Sequence, residues 1–317
     1  MASIQRVAVL GATGNLGPAI ISQLQTSGFT VTAISRTSTQ HTNSTPVLPV
    51  DLPVLRVDFT SFDELKEAFT GQDAVVSVVG VPGVPCQKLA VDAARAARVR
   101  RFVPSEFGVN TRVVKEEGGK IGVVWGGKIG VEWGGKIEVV DYLEAVKEGD
   151  EFSWTGIATG LILDWNLDRN GLGIINLKDK SATVLDSGNE KFQASTLAQV
   201  CRAVAGILKH PDETANKYVS VASFNMSENE LVTLVEELTG WTLPVTHIKS
   251  ADIRKTGEDK IAVADARGFA DLLRMYNGAD GAGHKLEEAD SVNRVIGLPY
   301  EDLWAEVANW LRRKGAL

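Results

Sequence analysis

The chain of 317 residues contains only two cysteines, Cys86 and Cys201, with neither Cys-x-x-Cys nor ligand-like spacing. That scarcity excludes a disulfide framework and fits a reducing compartment. Histidine is as sparse: His41, His210, His247 and His284 are scattered without His-x-x-x-His or carboxylate spacing, so no metal is expected. Basic blocks are missing too, apart from a short run at 312–314, and 33 basic residues against 40 acidic ones leave a net charge of −7. Nucleic acid and anionic membrane surfaces are therefore poor partners, and a small molecule is the expected one. No apolar run reaches the roughly 20 residues that span a bilayer; the most apolar stretch, 74–85, holds Pro82 and Gly83. The N-terminus has no basic flank leading into a long apolar segment, so no secretory signal is expected and the cytoplasm is the default location.

What is present is apolar periodicity. At 44% hydrophobic the chain can bury a large core, in one main domain carrying a smaller one. The first 110 residues alternate short β-branched runs with helical patterns: "RVAVLG", Leu16 to Thr26, "TVTAIS", "VLRVDF", a helix from Phe62, "AVVSVV", a helix from Gln87, and "RRFVPS". Strands separated by crossover helices imply an α/β fold with a doubly wound parallel sheet covered on both faces. Ser61 and Glu64 predict a capping box, with Gly71 as the stop. Later, "SWTGIATGLIL" reads as one more buried strand and a loop, "STLAQVCRAVAGIL" as a helix and "KYVSVAS" as a strand. "SENELVTLVEELTG" is a helix capped by Ser227 and Glu230 and stopped by Gly240, and a last helix follows Pro299 with Glu301 and Asp302 in its first turn.

Gly11-Ala12-Thr13-Gly14-Asn15-Leu16-Gly17 directly follows the first strand and opens the first helix. Backbone N–H groups and the helix dipole converge there, and glycine lets a pyrophosphate approach the main chain. After the second strand comes Arg36, where an NAD-specific protein carries an acid for the ribose 2′-hydroxyl. A guanidinium cannot accept that bond but suits a 2′-phosphate, with Thr37 and Ser38 as further donors, so NADPH is the expected cofactor. By the switch-point rule, Asp58 and Phe59 border the adenine and Val79 and Gly80 run beneath the nicotinamide.

"GATGNLG", "ISR", "RRFVPSEFGVN" and "GGKIEVVDYL" together resemble the NmrA-like group of atypical short-chain reductases, in its isoflavone reductase and phenylcoumaran benzylic ether reductase branch, fungal form. The resemblance runs over nearly the whole chain. It implies a Rossmann-type NADP-binding domain over 1–153 and a smaller, partly interleaved substrate domain over 154–317. It also implies a single catalytic lysine instead of a Tyr-x-x-x-Lys pair. The residues four places after Tyr142, Tyr218, Tyr276 and Tyr300 are Val146, Ala222, Asp280 and Trp304, so that pair is absent. The family's lysine stands three residues after a large aromatic and opens a helix, which matches Trp133-Gly-Gly-Lys136. Acid/base work by such a lysine near neutral pH needs burial or a nearby cation to lower its affinity for the proton. Two departures stand out: Val140 replaces an arginine common in plant relatives, and only His41 is available as a second basic group near the 2′-phosphate.

Lys136 closes a repeat, "GGKIGVVWGGKIGVEWGGKIEVV", that also contains Lys120 and Lys128. Ile121, Val123 and Trp125, then Ile129, Val131 and Trp133, alternate between Gly-Gly pairs. That pattern predicts a hairpin or extended loop over about 116–135, either an inert insertion or a lid. Glu106 either contacts substrate or caps a helix. Asp164 and Trp165 either line the substrate cavity or pack beneath a loop, and His284 is a candidate for the pocket mouth. The whole predicts an NADPH-dependent reductase of a small aromatic or polyketide-like metabolite, monomeric or homodimeric. The alternative is a non-enzymatic NADP sensor that binds a protein partner.

Overall fold

The computed structural model describes residues 3–37, 48–49, 51–116, 129–146, 151–263, 265 and 267–317. Its first half alternates as the pattern implies: β1 (Arg6–Leu10), α1 (Gly17–Thr26), β2 (Thr30–Arg36), β3 (Val54–Val57), α2 (Phe62–Phe69), β4 (Ala74–Ser77), α3 (Gln87–Ala96) and β5 (Arg101–Val103). There follow α4 (Thr111–Glu116), α5 (Ile129–Glu144), β6 (Ser153–Ala158), β7 (Leu161–Ile162), α6 (Leu163–Asn170), β8 (Ile175–Asn176), β9 (Ser181–Leu185) and β10 (Phe192–Ser195). The remainder is α7 (Leu197–Lys209), β11 (Lys217–Ser220), β12 (Phe224–Met226), α8 (Glu228–Thr239), β13 (Val245–Ile248), α9 (Ser250–Ala262), α10 (Arg267–Gly278) and α11 (Leu303–Arg313).

Seven parallel strands form the main sheet in the order β11-β6-β5-β4-β1-β2-β3. Both faces are covered, and β1 shows why its sequence is apolar throughout. Val7 and Val9 point to one face, against Ile20, Ile21 and Leu24 of α1 and Val200 and Val204 of α7. Ala8 and Leu10 point to the other, against Leu65 and Phe69 of α2, Ala90 and Val91 of α3, and Val139, Val140 and Leu143 of α5. Burial on both sides removes the polar alternation of a half-exposed strand. The strand order reverses direction between β1 and β4, which leaves a crevice at their carboxyl ends. Two small sheets, β12-β10-β7 and β13-β9-β8, pack around a third core that includes Trp310 of α11 and Leu231 of α8.

Four local expectations are corrected. Residues 129–133 are helical, since α5 begins at Ile129; Trp133 is buried against Phe269 and Tyr276, and such packing outweighs the low helix propensity of the Gly-Gly pair. Lys120, Lys128 and the first two repeat phrases lie outside the described residues. The Ser61 hydroxyl does cap Glu64 N, but the Glu64 carboxylate accepts from Asp58 N at 2.8 Å, so half of the capping box serves the preceding turn. "SWTGIATGLIL" is split between two sheets at Gly160 (φ 62°), where a Cβ would come within 2.2 Å of the Gln193 carbonyl oxygen. Asp302, not a residue within the first turn, is the N-cap of α11, and Glu301 lies outside the helix, accepting from Thr196, Ser223 and Arg202. The box at Ser227 and Glu230 and the left-handed Gly240 stop stand as the sequence implies.

Candidate active site

The loop after β1 builds the floor of a cleft. Gly11 takes φ 91°, and a Cβ on it would come within 3.0 Å of Val79 N and 3.1 Å of the Val78 carbonyl. Gly17 is tighter: a Cβ there would lie 2.1 Å from Ala12 O, so its glycine lets α1 start directly behind the loop. The cleft, about 170 Å³, is lined by Gly11, Thr13, Gly14, Arg36, Phe59, Val78, Val79, Gly80, Pro82 and Gly83. Seven residues named from the sequence for a nucleotide thus share one wall. The other four sit differently. Asn15 is exposed, Leu16 packs on the core, and Gly17 is buried at the helix start. Asp58 is turned to Thr60, whose backbone N–H and hydroxyl it accepts, and these bonds hold its carboxyl below the usual range.

Arg56 is a group that sequence reading missed. It lies on β3 beside Ser35 in the register, and its guanidinium donates to the Arg36 carbonyl at 3.4 Å. The signal was available: an exposed cation in "VLRVDF", on the strand that must neighbour β2 in a doubly wound sheet. His41 and Ser38 lie outside the described residues.

From the cleft, hydrogen bonds at Ser105 and at Glu106, its neighbour in the chain, lead to Lys136. The Ser105 hydroxyl donates to the Val79 carbonyl at 2.8 Å, and Ser105 N donates to Gln87 Oε1 at 2.8 Å. The next residue, Glu106, accepts from Lys136 Nζ at 2.6 Å through its backbone carbonyl. Among the described residues this is the only hydrogen-bond partner of Nζ, which leaves two N–H groups for a ligand. A Cβ on the neighbouring Gly135 would meet Val84 Cγ1 at 3.0 Å, so glycine lets α5 approach the 3-10 turn Val81–Cys86 that borders the cleft.

The remaining named residues have other surroundings. Glu106 is 1% exposed and its carboxylate is hydrogen-bonded inside the protein, while the α4 N-terminus is capped by Asn110. Asp164 accepts from its own neighbour Trp165 N and from Leu197 N at the start of α7; burial raises its carboxyl affinity for the proton. Trp165 packs on the core beneath Arg169, whose guanidinium carbon is 3.5 Å from the ring centre. His284 is not open at a mouth. It stacks on Tyr276 at 3.8 Å, and Tyr276 in turn contacts Trp133, one turn before Lys136; burial pushes the imidazole down to about 4.

A larger cavity of about 460 Å³ lies between α6, β8 and α11. Size does not select it, because its charges are already engaged: Asp168 pairs with Arg313 and Lys314, and Arg169 covers Trp165. Among the described residues no group of three His, Cys, Asp or Glu could hold a metal ion, and no helix is long and apolar enough to cross a membrane.

Residues 3–310 match the family model described as the NmrA-like family. The chain belongs to the NmrA-like family. It is 32% identical over 310 residues to the oxidoreductase aprR of Aspergillus flavus, covering 97% of this chain and 99% of that one. It is also 32% identical to the oxidoreductase poxI of Penicillium oxalicum, over 84% of this chain and 81% of that one. The isoflavone reductase homolog P3 of Arabidopsis thaliana is 27% identical over 79% of this chain and 80% of its own. Among solved structures, one of the pinoresinol-lariciresinol and phenylcoumaran benzylic ether reductases superposes with a TM-score of 0.77 at 18% identity, covering 98% of each chain. An isoflavone reductase does so with a TM-score of 0.74 at 19% identity, over 97% of this chain and 99% of that one. At such identities these two likenesses speak for the fold.

Proposed function

We propose that this protein is an NADPH-dependent reductase of a small aromatic or polyketide-like metabolite, with Lys136 as its catalytic residue. The observation that carries the reading is the continuity from Gly11, Thr13, Gly14 and Arg36 through Val79 and Ser105 to the half-buried Lys136. The fungal relatives named oxidoreductases support the reaction class, and a solved structure of the same fold holding NADP+ and (+)-pinoresinol supports the pairing of this cofactor with an aromatic substrate.

The residues fit the cofactor on two counts. A Cβ on Gly11 would press on the backbone of Val78 and Val79, and one on Gly14 on the Gly11 carbonyl, so glycine lets the loop lie close against the end of β4 just before α1, where a pyrophosphate is favoured. Arg36 lines the same cleft at the end of β2, the place where an NAD-specific protein carries the acid for the ribose 2′-hydroxyl. When bound, NADPH supplies a hydride. The chain's own part is to hold the reacting carbon over the cleft and to place Lys136 Nζ beside the oxygen that becomes negative, donating a hydrogen bond and then a proton to it. Phe59 and Val79 exclude water from the floor of the cleft.

The test is a titration of NADPH and NADH followed by a screen of NADPH oxidation against phenolic and polyketide compounds. The expected result is tighter NADPH binding and turnover of one compound class. Tight NADPH binding with no turnover of any compound favours the sensor reading instead, and equal affinity for both cofactors refutes the assignment of Arg36.

A further inference from the structure

Lys136 is held by a carbonyl, and the geometry around that carbonyl is unusual for a surface turn. Glu106 follows β5 in a turn where its own N–H reaches back to the Pro104 carbonyl at 2.9 Å and the next residue, Phe107, takes φ 30°. A non-glycine residue held at positive φ persists only where the surroundings over-determine it. Here they do. One carboxylate oxygen of Glu106, Oε2, accepts from the Thr111 hydroxyl at 2.6 Å and from the Tyr218 hydroxyl at 2.7 Å. Tyr218 OH in turn accepts from Thr111 N at 3.2 Å and lies 3.2 Å from the Thr111 hydroxyl, whose shorter bond is the one to Glu106. The other carboxylate oxygen, Oε1, is buried without a hydrogen-bond partner, although burying a carboxylate is costly. Arg112 places its guanidinium carbon 5.9 Å from the Tyr218 ring centre. Burial, and then the charge of Glu106, push the Tyr218 hydroxyl well above its ordinary value, so it remains a donor.

We infer that Glu106, Thr111 and Tyr218 form a positioning clamp for Lys136, in which the side chain of Glu106 fixes the turn and its backbone carbonyl fixes the lysine Nζ. The role of Glu106 is thus divided between its two ends: the carboxylate faces β11 and α4, and the carbonyl faces α5. Tyr218 reaches the reaction only through Glu106. The inference rests on the reading of Lys136 as catalytic for its functional meaning, but the clamp itself has a readout that needs no substrate.

Trinitrobenzenesulfonate labels neutral lysine amines, and mass spectrometry of the peptide containing Lys136 gives its rate separately from other lysines. In the full-length protein at pH 8, Tyr218→Phe and Thr111→Val should each raise the labelling rate of Lys136 at least threefold, because Nζ is released from a fixed acceptor. Lys66, far along the chain on α2, should label at an unchanged rate. Glu106→Gln keeps an acceptor for both hydroxyls and should stay near wild type, whereas Glu106→Ala should label fastest. With any compound the screen identifies, Tyr218→Phe should lower kcat about tenfold at an unchanged KM for NADPH. Labelling rates within twofold of wild type for both folded variants, Tyr218→Phe and Thr111→Val, would overturn the clamp, as would a Glu106→Gln variant that labels as fast as Glu106→Ala. Absence of turnover together with the expected labelling would sink the enzymatic reading and leave the clamp standing.

Discussion

Arg36 at the end of β2 and Arg56 on β3 meet through one carbonyl, and their exposure sets what each can contribute. A charge-assisted contact of Arg36 with a 2′-phosphate is worth roughly 1.5–3 kcal/mol. Arg36→Ala should therefore weaken NADPH binding roughly 10- to 100-fold and leave NADH binding nearly unchanged, as read by fluorescence titration of both. Arg56→Ala should cost only a few-fold and vanish in high salt, because an exposed cation acting at longer range is screened. A larger loss from Arg56 than from Arg36 would reverse the assignment. The same scale separates the lysines of the repeat. Lys136→Ala should abolish turnover while the NADPH dissociation constant stays within about threefold, and Lys120→Ala with Lys128→Ala should leave the rate largely unaltered. Turnover assays on purified variants decide it, and the opposite pattern would move the active-site lysine upstream.

Helix α5 is the element on which that geometry depends, and its two adjacent glycines differ. A Cβ on Gly134 would meet nothing within 4 Å, whereas one on Gly135 would press on Val84 Cγ1 at 3.0 Å. Gly134→Ala should stabilise the protein by about 0.5–1 kcal/mol, the helical advantage of alanine. Gly135→Ala should forfeit that gain by pushing α5 off the 3-10 turn beside the cleft, and the two urea midpoints should move apart. Equal stabilisation by both would show that the close approach is not needed. Helix α5 also marks the limit of what the sequence discloses. The Gly-rich loop, helix α7, the capped helix α8 and the strands of the main sheet were legible because their signals lie within a few consecutive residues. The helical start of α5 was not, because it depends on Trp133 meeting Phe269 and Tyr276 of α10, some 140 residues away in sequence. The small sheets were hidden for the same reason: strands as short as Leu161–Ile162 carry no periodicity and exist only through pairing with β10. At the site, the gathering of seven of the named residues in one cleft followed from motif and topology. The Glu106 triad did not, since Tyr218 reaches it from 112 residues away.

Over the whole molecule, the sheet brings Lys136 to its carboxyl edge, and the later chain closes on that helix through Tyr276 and His284, so the titration of one ring reports on the closure. Burial depresses His284 to about 4 from an ordinary 6.5. The unfolded chain therefore takes up the proton first as pH falls, and stability rises with pH wherever the unfolded state binds more protons. The stabilisation from the neutral ring is complete above about 6.5 and is lost as pH drops toward about 4. Its size is roughly 2 kcal/mol once the part of the ring that water reaches is allowed for. Other groups titrate nearby with both signs. Asp73 and Asp186 are held low, mainly by hydrogen bonds that outweigh the opposing burial, so their stabilisation is lost only as pH falls further. Asp164 and Glu306 are raised by burial and act in the opposite direction, favouring the folded state at low pH. The difference between wild type and a variant is therefore the observable, not the raw curve. His284 Nε2 has no hydrogen-bond partner, so His284→Phe keeps a ring on Tyr276 and removes only the titration. Urea unfolding from pH 7 to pH 4 should show wild type losing stability relative to His284→Phe, with the gap opening below about 6.5. Parallel curves over that range would mean that His284 is open to water and that the later chain does not close on α5.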